Sequence, residues 1–495
     1  MQEAQQKKNF RRYDLAGVNL HASKEGDELW HKLMVGGLAE RRPSVLKGDS
    51  VYVWVPGTTD VEYEGFVQEV LRDATWLQLN PCFQDATRGV TEFNVRFSFS
   101  RIQFRRMHTA IDNVDLSLVW PDHQLPVAPS APPLERSVSI GDWALNADQR
   151  VCVERSLVLA TLPRKHPFLI RGAFGTGKTS TLCNVVLQLL HSSAGTAAEP
   201  CRILLCTECN AAADLYVTLL AKVVAPSEML RSYQAHRTRG QSTSVWEYCK
   251  ALYDQTRNIM RAPTIEELLG YRLIICTFDH SAVLWGIGCP TTMFTHIVMD
   301  EVANALEPRA LIPLQLAIPS TSIVMAGDDK QIAPQVQSPS ARHHGLKQSM
   351  LVRLVGLDFY QKHPETFIEL KTNYRSHPKL LDLPSRIFYN GNLVAGADVR
   401  ACSSLCQWER LPVKGLPLMF VGVEGKDEQT ADSPGFLNKH EAAQIVTLIQ
   451  SLLLHKLDGK PVVTPSDIAV VAAFHKQTLL IRNLLRKKQI FDVDV

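Results

Sequence analysis

Gly172-Ala173-Phe174-Gly175-Thr176-Gly177-Lys178-Thr179 restricts what this chain can fold into more than any other stretch. It fits the pattern G-x-x-x-x-G-K-T and stands between an apolar run, Phe168-Leu169-Ile170, and a helical stretch from Leu182 to Leu190. Strand, glycine-rich turn and helix in that order aim backbone N–H groups at a phosphate, and the helix N-terminus adds positive potential. Gly172, Gly175 and Gly177 permit the tight turn, with Thr176 inside it. Lys178 is long enough for the β- and γ-phosphates, and the Thr179 hydroxyl suits Mg²⁺. The expectation is an ATP-binding α/β protein with a parallel sheet.

Further short apolar runs agree with that sheet: Ile203-Leu204-Leu205, Leu273-Ile274-Ile275, Ile297-Val298-Met299 and Ile323-Val324-Met325. Continuous apolar runs alternating with helical stretches are the mark of parallel strands buried on both faces. Two of them end in polar groups suited to phosphate chemistry. Asp300 follows Met299 and is placed to hold Mg²⁺, while Glu301 beside it can take a proton from an attacking water. An acidic pair after a strand also suits a helix N-terminus, but its position downstream of the glycine-rich turn favours the first reading. Gly327-Asp328-Asp329-Lys330-Gln331 follows the last run, with Gln331 placed to sense the γ-phosphate.

The rest of the chain divides by texture. Residues 1–47 read as a lead-in and stalk. Residues 48–115 read as a small β-barrel, with strands at Val51–Val55, Trp76–Leu79 and the alternating Phe93, Val95, Phe97 and Phe99. Arg96, Arg101, Arg105 and Arg106 near its last strand suit either a phosphate backbone or an ordinary solvated face. Residues 116–144, with Pro121, Pro126, Pro129, Pro132 and Pro133, read as a stiff connector. A first lobe is expected over 145–345, with a mainly helical insertion at about 220–270. A second, over 346–495, has candidate strands at 367–370, 418–421 and 468–471. Cys206 and Cys209 form a lone CxxC with no second pair, so zinc is not expected, and a buried thiol at the end of a strand explains Cys206. No run is long and apolar enough to span a bilayer, and net charge of +3 singles out no partner.

These elements, in this order, resemble a known family. Leu145-Asn146-Ala147-Asp148-Gln149 is similar to the adenine-reading glutamine motif of superfamily 1 helicases. Asp300-Glu301 and Gly327–Gln331 look like their motifs II and III, and Asn373-Tyr374-Arg375-Ser376-His377-Pro378 resembles motif IV of the Up-frameshift-like branch. Glu40-Arg41-Arg42-Pro43-Ser44-Val45-Leu46, Leu383–Tyr389 and Gly425-Lys426-Asp427-Glu428 extend the resemblance to RNA helicases of the Moloney leukaemia virus ten and Armitage type.

The resemblance implies two RecA-like P-loop lobes preceded by a small β-barrel, the second lobe truncated. Motif V and the arginine of motif VI would lie beyond Phe491-Asp492-Val493-Asp494-Val495. It also implies residue roles: Gln149 reads adenine, Tyr374 stacks on it, Arg375 touches the γ-phosphate, and Asn210 and Asp214 contact RNA. Asn304 stands where many relatives have Gln and is left out of the catalytic set. The implied activity is ATP-driven 5′→3′ movement on single-stranded RNA. The implied setting is RNA-mediated silencing, with Argonaute-type partners, in cytoplasmic granules (P-bodies). The alternative is an ATP-gated RNA clamp or scaffold without productive unwinding.

Overall fold

A computed structural model of the chain describes residues 1–25, 28–38, 44–58, 61–121, 145–162, 165–192, 200–234, 237, 239–457 and 459–495. The connector expected through 144 therefore lies largely outside the described residues, as does Glu40-Arg41-Arg42-Pro43. By packing the chain forms two units, Met1–Arg101 with Ser403–Val495, and Ile102–Cys402.

In the first unit seven strands make one antiparallel sheet: β1 (Leu15–Val18), β2 (His21–Glu25), β3 (Glu28–Met34), β4 (Ser50–Trp54), β5 (Tyr63–Val70), β6 (Ala74–Leu79) and β7 (Phe93–Ser98). Their order is β1-β7-β4-β5-β6-β3-β2. Alternation places Val51, Val53, Val67, Leu77 and Val95 in the core. The sheet is wider than the span 48–115 expected of it, because β1 to β3 come from the first 34 residues. β1 and β2 stand at the two ends of the strand order, and His21-Ala22-Ser23-Lys24-Glu25 has the polar character of an edge strand rather than apolar alternation. Arg96 lies over the rings of Tyr52 and Trp54 (5.1 and 5.8 Å to the centroids) and pairs with Glu62 at 2.7 Å, so the partners in view for it are side chains of the barrel.

The remainder of that unit, Ser403–Val495, is organised around two helices, Lys439–Leu454 and His475–Lys487. Ala442, Val446 and Ile449 pack with Ile481 and Leu485. The strands expected at 418–421 and 468–471 do not form. The first stretch belongs to no strand, and the second contributes only a parallel bridge from Ala469 to Asp494.

The second unit holds the parallel sheet. Its strands are β8 (Phe168–Gly172), β9 (Ile203–Thr207), β10 (Met229–Arg231), β13 (Leu273–Thr277), β14 (His296–Met299), β15 (Ser322–Gly327) and β16 (Phe367–Leu370), in the order β10-β13-β9-β14-β15-β8-β16. A hairpin, β11 (Tyr253–Asp254) with β12 (Ile259–Met260), lies between β10 and β13 in the chain. Each apolar run of the sequence became a strand here. Cys206 is buried in β9, its Sγ 3.6 Å from that of Cys276 on β13. Two expectations need correction. Phe367–Leu370, assigned by position to the second lobe, pairs with β8 as the edge of this sheet (Phe367 opposite Leu169), since a strand belongs where its ladder forms. The stretch 220–270 is not mainly helical. It supplies β10, the hairpin, several 3₁₀ turns and one short helix, Ile265–Leu269.

Candidate nucleotide site

The site lies where the strand order leads it, at the C-terminal ends of β8, β15 and β14, which are neighbours in the sheet. Ligands of open parallel sheets bind at such strand ends. β8 runs into the glycine-rich turn, and helix α1 (Ala147–Thr161) precedes it while α2 (Lys178–Ser192) follows. Gly175 and Gly177 both adopt positive φ, +68° and +83°. A Cβ on Gly177 would lie 2.6 Å from the Gln149 amide, and one on Gly175 would lie 2.7 Å from the Cβ of Arg375. Backbone conformation and crowding thus both demand glycine here. Lys178 is buried, its ammonium donating to the carbonyls of Gly172 and Ala173 at 2.9 and 3.4 Å.

Asp300 follows β14 directly, and Glu301 turns the chain in the left-handed region at φ +58°. Few residues other than glycine accept that conformation, and here it lets the two carboxyl groups share one end of the strand. Asp300 Oδ1 accepts the Glu301 N–H at 2.8 Å, and Oδ2 accepts the Tyr216 hydroxyl at 2.6 Å. Burial raises the pKa of Asp300 above the usual carboxylate range, against the pull of Tyr216 and Lys178. Burial also raises that of Glu301, and the neighbouring Asp300 charge adds to it. Asn304 donates to Glu301 Oε2 at 2.9 Å.

At the end of β15, Asp328 accepts from Gln331 Nε2 at 2.6 Å and from the Tyr389 hydroxyl at 2.8 Å. Tyr389 ends helix Pro378–Phe388, and its ring lies 6.3 Å from that of Phe174 in the glycine-rich turn.

The segment 373–375 meets the same turn. Asn373 Nδ2 donates to the Phe174 carbonyl at 2.6 Å, and the Tyr374 N–H donates to the Gly175 carbonyl at 2.8 Å. Tyr374 is 40% exposed, and its hydroxyl accepts from Asn146 Nδ2 at 2.6 Å. Arg375 is exposed, its N–H fixed by Asn373 Oδ1 at 2.9 Å. Gln149 serves the capping box of α1, its Oε1 accepting the Asn146 N–H at 3.1 Å, while Nε2 donates to the Thr176 carbonyl at 3.3 Å.

The structure therefore brings Gln149, Gly172, Gly175, Thr176, Gly177, Lys178, Thr179, Asp300, Glu301, Tyr374 and Arg375 around one turn, with Gln331 tied to the adjoining strand end. Asn210 and Asp214 are elsewhere. Both open helix α3 (Asn210–Leu220) and face the fully buried Arg231, whose Nη2 reaches Asn210 Oδ1 and whose Nε reaches Asp214 Oδ1, each at 2.8 Å. Tyr233 and Arg237 also bond Asp214, so these side chains hold a buried cation in place rather than present themselves to a polyanion. Asn304, left out of the catalytic set on sequence grounds, touches Glu301, and Asn373 of the motif IV-like stretch holds the glycine-rich turn. Tyr216 and Tyr389 were given no role from the sequence and are joined to the site only through space.

The donor set fits a nucleotide triphosphate with its cation. Hard oxygens of Thr179, Asp300 and Glu301 lie beside a buried ammonium and a positive-φ turn. Among the described residues no three His, Cys, Asp or Glu side chains are gathered to hold a metal by themselves. Among those residues no helix is long and apolar enough to cross a membrane.

Comparison with known proteins agrees in order along the chain. Residues 13–97 match the family described as helicase MOV-10, beta-barrel domain. Residues 144–239 and 227–339 match one AAA domain family, and 346–495 match another. The architecture is thus that of two RecA-like lobes preceded by a β-barrel. Human RNA helicase Mov10l1 is 31% identical over 576 residues, covering 100% of this chain and 46% of that protein. Helicase mov-10-B.2 of Danio rerio is 31% identical over 506 residues, 98% of this chain and 48% of its own. The mouse Mov10l1 is 34% identical over 73% of this chain and 30% of its own. The chain spans about half the length of the first two relatives. An arterivirus nonstructural protein 10 helicase aligns over 80% of this chain and 62% of its own, at 11% identity and a TM-score of 0.33.

Proposed function

We propose that this chain, a MOV-10-type helicase by the likeness of its barrel and both AAA regions, uses ATP hydrolysis to drive movement along single-stranded RNA. The observation that carries the proposal is the meeting of the glycine-rich turn, the buried Asp300–Glu301 pair and the segment Asn373–Arg375 around one strand end. Bound MgATP would supply the phosphate bond that is broken and the cation that offsets its charge. Lys178 would offset charge on the outer phosphates, and Thr179 with Asp300 would hold the cation. Glu301, oriented by Asn304 and made more basic by burial, would take the proton of the attacking water. Gln331 would sense the γ-phosphate. Arg375 would bring a guanidinium to the charge that develops in the transition state, and Tyr374 would give its exposed ring to adenine with Gln149 at the base edge.

RNA would bind through phosphate contacts and base stacking, so affinity should fall steeply with salt and show little base preference. With Asn210 and Asp214 engaged by Arg231, contact near them would come from the backbone of the turn after β9 rather than from their side chains. The proposal extends to setting and partners: RNA-mediated silencing in cytoplasmic granules with Argonaute-type proteins. Imaging and RNase-treated co-purification of the tagged chain would test that part.

The central test is ATP hydrolysis by this chain with and without single-stranded RNA, beside Lys178→Ala. RNA-stimulated turnover is expected, with a loss of about 10²-fold or more in the variant, the scale seen when one preorganised charge-stabilising donor is removed. RNA binding that responds to ATP without any turnover would replace the motor with a clamp.

A further inference from the structure

Helix α3 does two things at once. Its first turns hold the buried Arg231 through Asn210 and Asp214, and Tyr216, two residues past Asp214, enters the core. Tyr216 is 1% exposed and among the largest fully buried side chains of the protein. Its hydroxyl lies 2.6 Å from Asp300 Oδ2, and, against burial, which raises it, the nearby Thr179 hydroxyl lowers the pKa of both groups. The phenol belongs to neither of the elements that carry the two groups assigned to the cation, and it bonds one of them directly.

A carboxylate has about four lone-pair positions and can rotate about its last bond unless both oxygens are held. At Asp300 the Glu301 N–H fixes Oδ1 at 2.8 Å, a contact inherent in the local turn. Tyr216, from another element, fixes Oδ2 at 2.6 Å. A hydrocarbon side chain at 216 would fill the same core volume and leave that oxygen without its donor. The phenol therefore has a use that packing alone does not explain.

We propose that Tyr216 is a positioning residue for the metal–nucleotide complex, orienting the Asp300 carboxylate beside the Thr179 hydroxyl and making its placement depend on helix α3. The inference rests on the reading of Asp300 and Thr179 as the cation-holding pair. Because the same helix holds Arg231 through Asn210 and Asp214, a shift of α3 would carry with it the hydrogen bond from Tyr216 to Asp300.

The test is Tyr216→Phe in the full chain, read as equilibrium binding of a fluorescent ATP analogue across a Mg²⁺ series and in EDTA. Removing an outer partner of a metal ligand typically weakens metal affinity 10–100-fold. The Mg²⁺ concentration for half-maximal enhancement is expected to rise about 10-fold, with affinity in EDTA unchanged. An unaltered Mg²⁺ series would overturn the positioning role. A wild-type chain whose nucleotide affinity ignores Mg²⁺ would instead overturn the reading beneath it. As a second measurement, the gain in melting temperature from nucleotide with Mg²⁺, over that from nucleotide in EDTA, should shrink in the variant. If Tyr216→Phe lowers melting equally with and without Mg²⁺ and leaves that gain intact, the hydroxyl serves the fold alone and the proposal fails.

Discussion

The sheet around the nucleotide site and the segment Ser403–Val495 begin from similar sequence. Each contains short, continuous apolar runs of the kind that predict buried strands. In the sheet, Ile203, Leu204, Leu205, Ile297, Val298 and Met299 are all fully buried. In the later segment Leu418-Met419-Phe420-Val421 and Ile468-Ala469-Val470-Val471 are of like composition, yet Phe420 is 95% and Val471 97% exposed. The difference lies in the neighbours. β9 pairs with β13 on one side and β14 on the other, so each of its residues gains ladder hydrogen bonds and two covered faces. The later runs have a single bridge, Ala469 to Asp494. An apolar run is thus a capacity for strand, and the ladder decides whether it is used.

The largest effect expected from this contrast is in the sheet. Ile297→Ala removes a fully buried side chain from β14, between β9 and β15. It should cost about 2–5 kcal/mol, as large-to-small core changes do, seen as an earlier urea transition of the sheet-bearing unit. Because Ile297 lies just ahead of Asp300, weakened nucleotide binding should accompany the loss. A cost under about 1 kcal/mol would mean that the sheet tolerates a cavity and that the contrast with the later segment is overdrawn.

A smaller effect is expected from a polar group in the later segment. Asn438 caps helix Lys439–Leu454, its Oδ1 accepting from the N–H groups of His440 and Glu441 at 3.1 Å. Its backbone exchanges two hydrogen bonds with the Gln477 amide, at 2.9 and 3.1 Å, which ties the two helices of the segment together. Asn438→Ala should cost about 0.5–2 kcal/mol, the range for a lost N-cap, in the unfolding transition reported by that segment. Asn438→Asp should keep most of the stability. If alanine is neutral, the small apolar cluster of Val446, Ile449, Ile481 and Leu485 holds the segment without the cap.

What could be read from the sequence follows the same division. The glycine-rich turn, its flanking strand and helix, and the strands leading to Asp300 and Gln331 were legible because fully buried parallel strands are written as continuous apolar runs. Membership was less legible than existence. Phe367–Leu370 reads correctly as a strand, but nothing in its four residues says that its partner is β8, nearly two hundred positions earlier. The polar strand β2, and β3 with its apolar residues in adjacent pairs, carry too little alternation to be seen. Site residues divide in the same way. Lys178 and Asp300 are fixed by local pattern, whereas Tyr216 is one aromatic in an apolar helix until the fold carries it to Asp300. Asn210 and Asp214 show the converse: the resemblance assigned them to RNA, but in the structure both bond Arg231, an arginine on a strand that composition hides.

The smallest effect expected is the most direct test of the contrast. Phe420 is a large aromatic side chain in an apolar run, and by composition alone Phe420→Ser should resemble a core mutation costing several kcal/mol. With the ring 95% exposed, it has almost no buried area to lose. Surface substitutions away from caps, pairs and packing usually fall within about 0.5 kcal/mol. Phe420→Ser should therefore leave the urea midpoint of this chain in place, while solubility improves as an exposed apolar group is removed. A loss above about 1 kcal/mol would show that 418–421 is covered in solution, and its likeness to the buried runs of the sheet would then extend from composition to packing.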